Sequence, residues 1–264
     1  MTTTRTTATR RYTLPFGDLL GQTLSIYFRN FVPFTVLGAI VLAPWAAMVL
    51  GVQSRFDPSS KDFDVDDLPM FAVVSLGSFL LQTVLTFLLT GALSYGVVQQ
   101  LRGNPARMDQ ALMIGLKNLG RALGTGILVG LRIALFSLLL LIPGIMEAAR
   151  LYVAIPAAVM EERGGGHAIE RSKSLTDGSR WPIFGAHMVV TIAGVMVLGM
   201  IGFVVLMLSG GLTGGPKPLA FDVVTIVFTI VVQGLTATMG AVCYFLLRRG
   251  KENIDPATLA SVFD

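Results

Sequence analysis

Three charged residues interrupt the apolar middle of this chain: Arg132, Glu147 and Arg150. Arg132 stands about ten positions into an uncharged run that begins at Ala122. At 1.5 Å per residue that is close to mid-membrane depth if the run spans a bilayer. An arginine there costs at least about 3 kcal/mol unless it is paired or wetted. Glu147 and Arg150 follow three residues apart, so they share one face of a helix. If the chain turns at Pro143-Gly144, Glu147 lies nearer the outer surface than Arg132 by roughly 10 Å on the helix rise. Contact would then require Arg132 to reach outward or a water-filled pocket between them. Two chemistries fit: a polar site for an anionic group or coupling ion, or a structural ion pair that fixes helix packing.

Other reactive residues are sparse. Cys243 is the one cysteine and sits in an apolar run, so no intrachain disulfide forms. His167 and His187 are the only histidines. With one Cys and two His, zinc would need carboxylates, and no ligand spacing supports a metal site. The acidic stretch Asp62-Phe63-Asp64-Val65-Asp66-Asp67 imitates the start of a calcium loop. It departs from that pattern because Asp67 replaces the turning glycine and Val73 the bidentate glutamate. Gly164-Gly165-Gly166 lacks the Lys-Ser/Thr of a phosphate loop and reads as a joint. His187 has no Ser/Asp partners in sequence, and Glu161-Glu162 sits at a boundary with water. The expectation is a non-enzyme with no cofactor.

What must position these residues follows from composition. The 264 residues are 53% hydrophobic and 14% charged, with a mean hydropathy of +0.71. An average soluble domain is about 25% charged. So little charge cannot cover a soluble surface, and so much apolar content excludes disorder. A net charge of +4, scattered along the chain, excludes a nucleic-acid footprint. The class is all-α: a polytopic membrane protein with six transmembrane helices and three interfacial amphipathic ones. A bilayer core needs about 20 apolar residues per helix. Runs that meet this lie at about 31–52, 69–98, 122–142, 144–160, 182–209 and 223–247. Residues 14–250 form the membrane domain. The Thr- and Arg-rich 1–13 and the stretch 251–264 read as cytoplasmic tails, the first disordered.

Charge placement orients the spans. Arg5, Arg10, Arg11 and Arg29 precede span one. Arg102, Arg107, Lys117 and Arg121 lie between spans two and three, and Arg163, Arg171, Lys173 and Arg180 between four and five. Arg248, Arg249 and Lys251 follow span six. Six spans place all of these on one side, opposite Arg55, Lys61 and Lys217, with Arg150 near a short turn on that other side. Positive residues stay cytoplasmic, so both termini are expected there. Before spans one, three and five, apolar residues recur at helical spacing: Phe16 to Phe31, Met108 to Leu119, and Ala168 to Leu175. A unit of flat helix, span, span thus occurs three times. Its basic flat helices suit an anionic inner leaflet, or simple sealing of a bundle. Gly126-x-x-x-Gly130, Gly194, Gly199 and Gly202 suit close helix packing. The expected partner is the lipid bilayer, anionic lipids included. A membrane-protein partner or a second copy of the chain stays open.

LGQTLSIYFRNF, IPGIMEAARLYVAIPAAVMEE, HAIERSKSLTDGSRW and the ending YFLLRRGKE together resemble bacterial six-span proteins. These are the glycerophosphoryl diester phosphodiesterase membrane-domain family and its YciC-like relatives. The resemblance covers roughly residues 14 to 253. It implies a multi-pass bundle in the bacterial plasma (inner) membrane. The fused phosphodiesterase barrel, with its catalytic His and metal carboxylates, has no counterpart here, so that activity does not carry over. The matching positions are Arg150, Pro156, Glu161, Ser172, Leu175, Thr176, Gly178 and Trp181. They cluster around span four and its exit, which implies a shared structural hinge. A non-enzymatic lipid-interacting or complex-supporting role is the first expectation. A carrier or channel for a small anionic or lipidic solute, using Arg132, Glu147 and Arg150, is the second.

Overall fold

A computed structural model describes residues 12–51, 64–101, 107–208 and 219–252. The two tails, the glycine-rich loop after Ser209 and the loop bases Arg55, Lys61 and Lys217 fall outside the described residues or at their edges. The described chain is all helix: α1 (Phe16–Arg29), α2 (Phe31–Gly51), α3 (Leu68–Leu101), α4 (Met108–Lys117), α5 (Leu119–Leu139), α6 (Leu141–Arg150), α7 (Ala154–Met160), α8 (Gly166–Thr176), α9 (Arg180–Leu208) and α10 (Leu219–Glu252). Six helical stretches are long and apolar enough to cross a membrane: Phe31–Gly51, Val65–Leu101, Leu119–Leu139, Leu141–Met160, Arg180–Leu208 and Leu219–Glu252. The protein is an all-α polytopic membrane protein.

The three amphipathic helices are α1, α4 and α8. Two of them join the next helix by the same device. Asn30 and Asn118 leave helical geometry, and each side-chain amide donates to the carbonyl four residues back, Ile26 at 2.9 Å and Ile114 at 3.1 Å. Each amide adds a second hydrogen bond to a carbonyl that already accepts from the asparagine's own backbone N–H, at 3.2 Å for Ile26 and 3.1 Å for Ile114. The third joint uses Gly178 instead, at φ +79°, a conformation L side chains avoid.

Packing closes the three units into a ring. Each flat helix lies on the last helix of the preceding unit: α4 on α3, α8 on α7, and α1 on α10. The helices α3 and α10 pack together at the centre, with α7 against both. The core is therefore at one end of the bundle. Leu88 to Val98 of α3 are almost all buried, as are Ala237 to Leu247 of α10. Tyr27, Leu19 and Leu14 from the first unit complete that core. The far half of α9 is largely exposed, and those of α3 and α10 are exposed or half-buried, as suits helices that face lipid. Glycines tighten some contacts and not others. A Cβ on Gly115 would fall 3.0 Å from the Leu88 carbonyl, and one on Gly202 3.1 Å from the Phe221 ring. Gly126 faces the Phe87 ring, but Gly130 and Gly199 meet nothing within 4 Å.

Two expected boundaries move. The chain turns at Leu140, which is extended at φ −162°, ψ 143°, and not at Pro143-Gly144. Pro143 sits in the first turn of α6, where its missing N–H has no partner to lose. Gly144 instead serves a close approach, since a Cβ there would fall 2.8 Å from the Ser137 Cα. The stretch 144–160 is also not one helix. It breaks at Leu151–Val153, between α6 and α7. Pro156 is the cause, because its ring excludes the carbonyl of residue 152 from a continuous helix. Just before α3, the Asp64 side chain accepts from the Val65 N–H at 2.6 Å, while the Asp64 N–H donates to the Asp67 carboxylate at 3.1 Å. Those two acids therefore cap the entry to α3.

Candidate functional site

The turn at Leu140 decides the geometry of the charged cluster. Counted from that turn, Arg132 and Glu147 stand at nearly equal distances along antiparallel helices. The expected 10 Å offset disappears, because it had assumed a turn at Pro143-Gly144. Arg132 Nε donates directly to Glu147 Oε1 at 2.5 Å, and Arg150 Nη1 donates to Oε2 at 3.3 Å. Lys173 Nζ, from α8, lies 3.9 Å from Oε1. Glu147 is 1% exposed, whereas its three cations are 32–39% exposed. One buried carboxylate is thus enclosed by three partly wetted cations. Sequence reasoning paired the first three residues and missed Lys173. Its signal was the helical period of HAIERSKSLTDG, which puts Lys173 beside the buried Ser172 on the face of α8 turned to α6.

The helix break frees a carbonyl that α8 then takes up. The Arg150 carbonyl accepts from Ser172 Oγ at 2.8 Å and from Thr176 Oγ1 at 3.0 Å. Ala168, Ser172, Leu175 and Thr176 are all essentially buried. Those four residues are thereby the docking face of α8, and Gly178 follows its end.

A second network ties α7, α8 and α10. Arg171 Nε donates to Glu161 Oε1 at 2.6 Å, and the Tyr244 hydroxyl donates to the same oxygen at 2.8 Å. Arg248 donates to the Tyr244 hydroxyl at 3.0 Å and to Glu252 at 3.0 Å. Arg171 also pairs with Glu252. Burial alone would raise the Glu161 carboxyl, but the hydrogen bonds from Arg171 and Tyr244 outweigh it and hold it below its ordinary value. Glu162 pairs with Lys117 and Arg121 at 3.7 and 3.9 Å, across to α4 and α5.

Between α6 and the start of α9 lies a cavity of about 440 Å³. Ile142, Ile145, Met146, Ala149, Trp181 and Phe184 give it an apolar lining, completed by Asp177, Gly178 and Arg180. Arg180 Nη2 donates to Asp177 at 3.0 Å, while its Nε is buried without a partner. Trp181 is 72% exposed. Cys243 is fully buried, and His187 packs edge-on against Tyr152 at 5.4 Å. No group of three or more His, Cys, Asp or Glu able to hold a metal gathers among the described residues. Comparison with protein-family models, with curated proteins and with solved structures finds no match.

Proposed function

We propose that this chain is a non-enzymatic protein of the bacterial plasma membrane, akin to the YciC-like membrane domains, that holds an anionic lipid at its cytoplasmic side. Both termini face the cytoplasm in this reading. The observation that carries it is the cavity between α6 and α9: mostly apolar, with a half-buried arginine and an exposed tryptophan in its lining. Tryptophan and arginine are the residues expected at the headgroup level of a bilayer. The amphipathic flat helices α1, α4 and α8 suit the same headgroup level.

The carrier reading has less support. It rests on Arg132, Glu147 and Arg150, and the Glu147 carboxylate is already taken up by Arg132, Arg150 and Lys173. That arrangement is an anchor between α5, α6 and α8.

The test is extraction into lipid-retaining nanodiscs from mixed phosphatidylglycerol and phosphatidylcholine membranes, followed by native mass spectrometry. The expected result is a stoichiometric phosphatidylglycerol that Arg180→Gln loses. Bulk lipid alone, unchanged by Arg180→Gln, overturns the reading. A stoichiometric protein partner with only bulk lipid replaces it with a scaffold.

A further inference from the structure

Length and apolarity admit α5 and α6–α7 as two spans, but their contacts run along α8. Three places mark this. Near the start of α5, Thr125 Oγ1 accepts from the Gly165 N–H at 2.9 Å, beside the first residue of α8. In the middle, Arg132 and Lys173 meet on Glu147. At the α5–α6 turn, Ile142 and Met146 share a cavity with Gly178 and Trp181, just past the end of α8. The helix α8 has 11 residues, about 16 Å at the helical rise. The whole α5–α6 hairpin is thus laid beside one short helix.

The side is fixed by other contacts. The Leu14 N–H donates to Ser179 Oγ at 2.9 Å, and Lys251 donates to the Ser174 and Asp177 carbonyls. The start of α1, the end of α10, α8 and the start of α9 therefore share one end of the molecule. A spanning α5 would carry Ile142 about 30 Å from that end, across the hydrocarbon core. Ile142 instead lines one cavity with Arg180, Trp181 and Phe184, at the start of α9, a helix of 29 residues and about 43 Å in length. Leu138 to Ile142 are nevertheless 67–85% exposed, a continuous apolar tip of the kind that an acyl-chain layer covers.

We infer that α5 and α6 form a re-entrant hairpin that lies in the leaflet on the side of α8 without crossing it, with that leaflet's acyl chains covering the Leu138–Ile142 tip. Four helices, α2, α3, α9 and α10, then cross. The even count keeps both ends of the described chain on one side. Arg132 sits at headgroup depth, where its guanidinium reaches water and the mid-membrane penalty does not arise.

Cysteine pairs in native membranes test this, in a Cys243→Ala background. Ile142→Cys with Trp181→Cys is treated with a bifunctional maleimide. Met48→Cys with Gly77→Cys, which touch across α2 and α3, is the control. Leu140→Cys is probed from each side with an impermeant maleimide, with Glu170→Cys and Asp66→Cys as markers of the two sides. The inference expects the Ile142–Trp181 crosslink at a yield like the control. It expects Leu140→Cys to be either shielded from both sides or labelled from the Glu170 side. A control crosslink without the Ile142–Trp181 crosslink overturns it, and so does labelling of Leu140→Cys from the Asp66 side.

Discussion

Removing the Glu147 carboxylate should hurt more than removing any one of its cations. In Glu147→Gln the side-chain volume stays, but Arg132, Arg150 and Lys173 lose their shared counter-charge in one step. Breaking a fully buried pair costs about 3–5 kcal/mol. Here only the acid is buried, at 1% exposure, and the cations are 32–39% exposed. Each can turn partly to water, which lowers the expected loss to about 2 kcal/mol. Arg132→Gln leaves the carboxylate with Arg150 at 3.3 Å and Lys173 at 3.9 Å, so its loss should be roughly half as large. The assay is thermal unfolding in a mild detergent, with the double variant closing a cycle. The expected order is Glu147→Gln least stable, Arg132→Gln intermediate, and a double variant better than the sum. If Arg132→Gln is the more damaging, or the two effects add, the enclosure of Glu147 is not what holds α5, α6 and α8 together.

Further outcomes follow from other contacts. Ser172→Ala and Thr176→Val each remove a bond to the Arg150 carbonyl and should each lower stability by about 1 kcal/mol, less than additively, as read by unfolding in the same detergent. Gly144→Val should splay α5 from α6 at a loss of about 1–3 kcal/mol from overpacking, whereas Gly130→Ala, with nothing within 4 Å, should be neutral or slightly stabilising in the same assay. The Glu161 carboxyl is held below its ordinary 4.5, so its ion pairs stabilise the folded state above that pH. That stabilisation is lost as pH falls below 4.5 through the lowered folded value, and a pH series of melting points should show the step shrink in Glu161→Gln.

Much of the architecture was legible along the chain. The uncharged runs marked the six apolar stretches, and the helical period marked α1, α4 and α8, because both signals are local. The joints at Asn30 and Asn118 each follow the last basic residue of a flat helix, Arg29 or Lys117, and precede an apolar one, Phe31 or Leu119. The cluster was legible in part. Arg132, Glu147 and Arg150 stood out because charge in an apolar run is rare. Lys173 did not, because among the basic residues of a loop it looks like any other cation.

The turn was misplaced because Pro143-Gly144 carries the strongest local breaking signal in its stretch. A proline in the first turn of a helix and a glycine at a close approach produce the same letters. Pro156 was visible, but its effect depended on whether α8 was available to take up the carbonyl that a break sets free. Only the folded chain brings Ser172 and Thr176 to Arg150. The sequence by itself determined how many apolar helices there are and which flat helices precede them, since hydropathy and periodicity depend on neighbours within a few residues. Tertiary structure alone decided that the α5–α6 hairpin lies along α8. That placement depends on a carboxylate, a carbonyl and a glycine meeting partners far away in the chain.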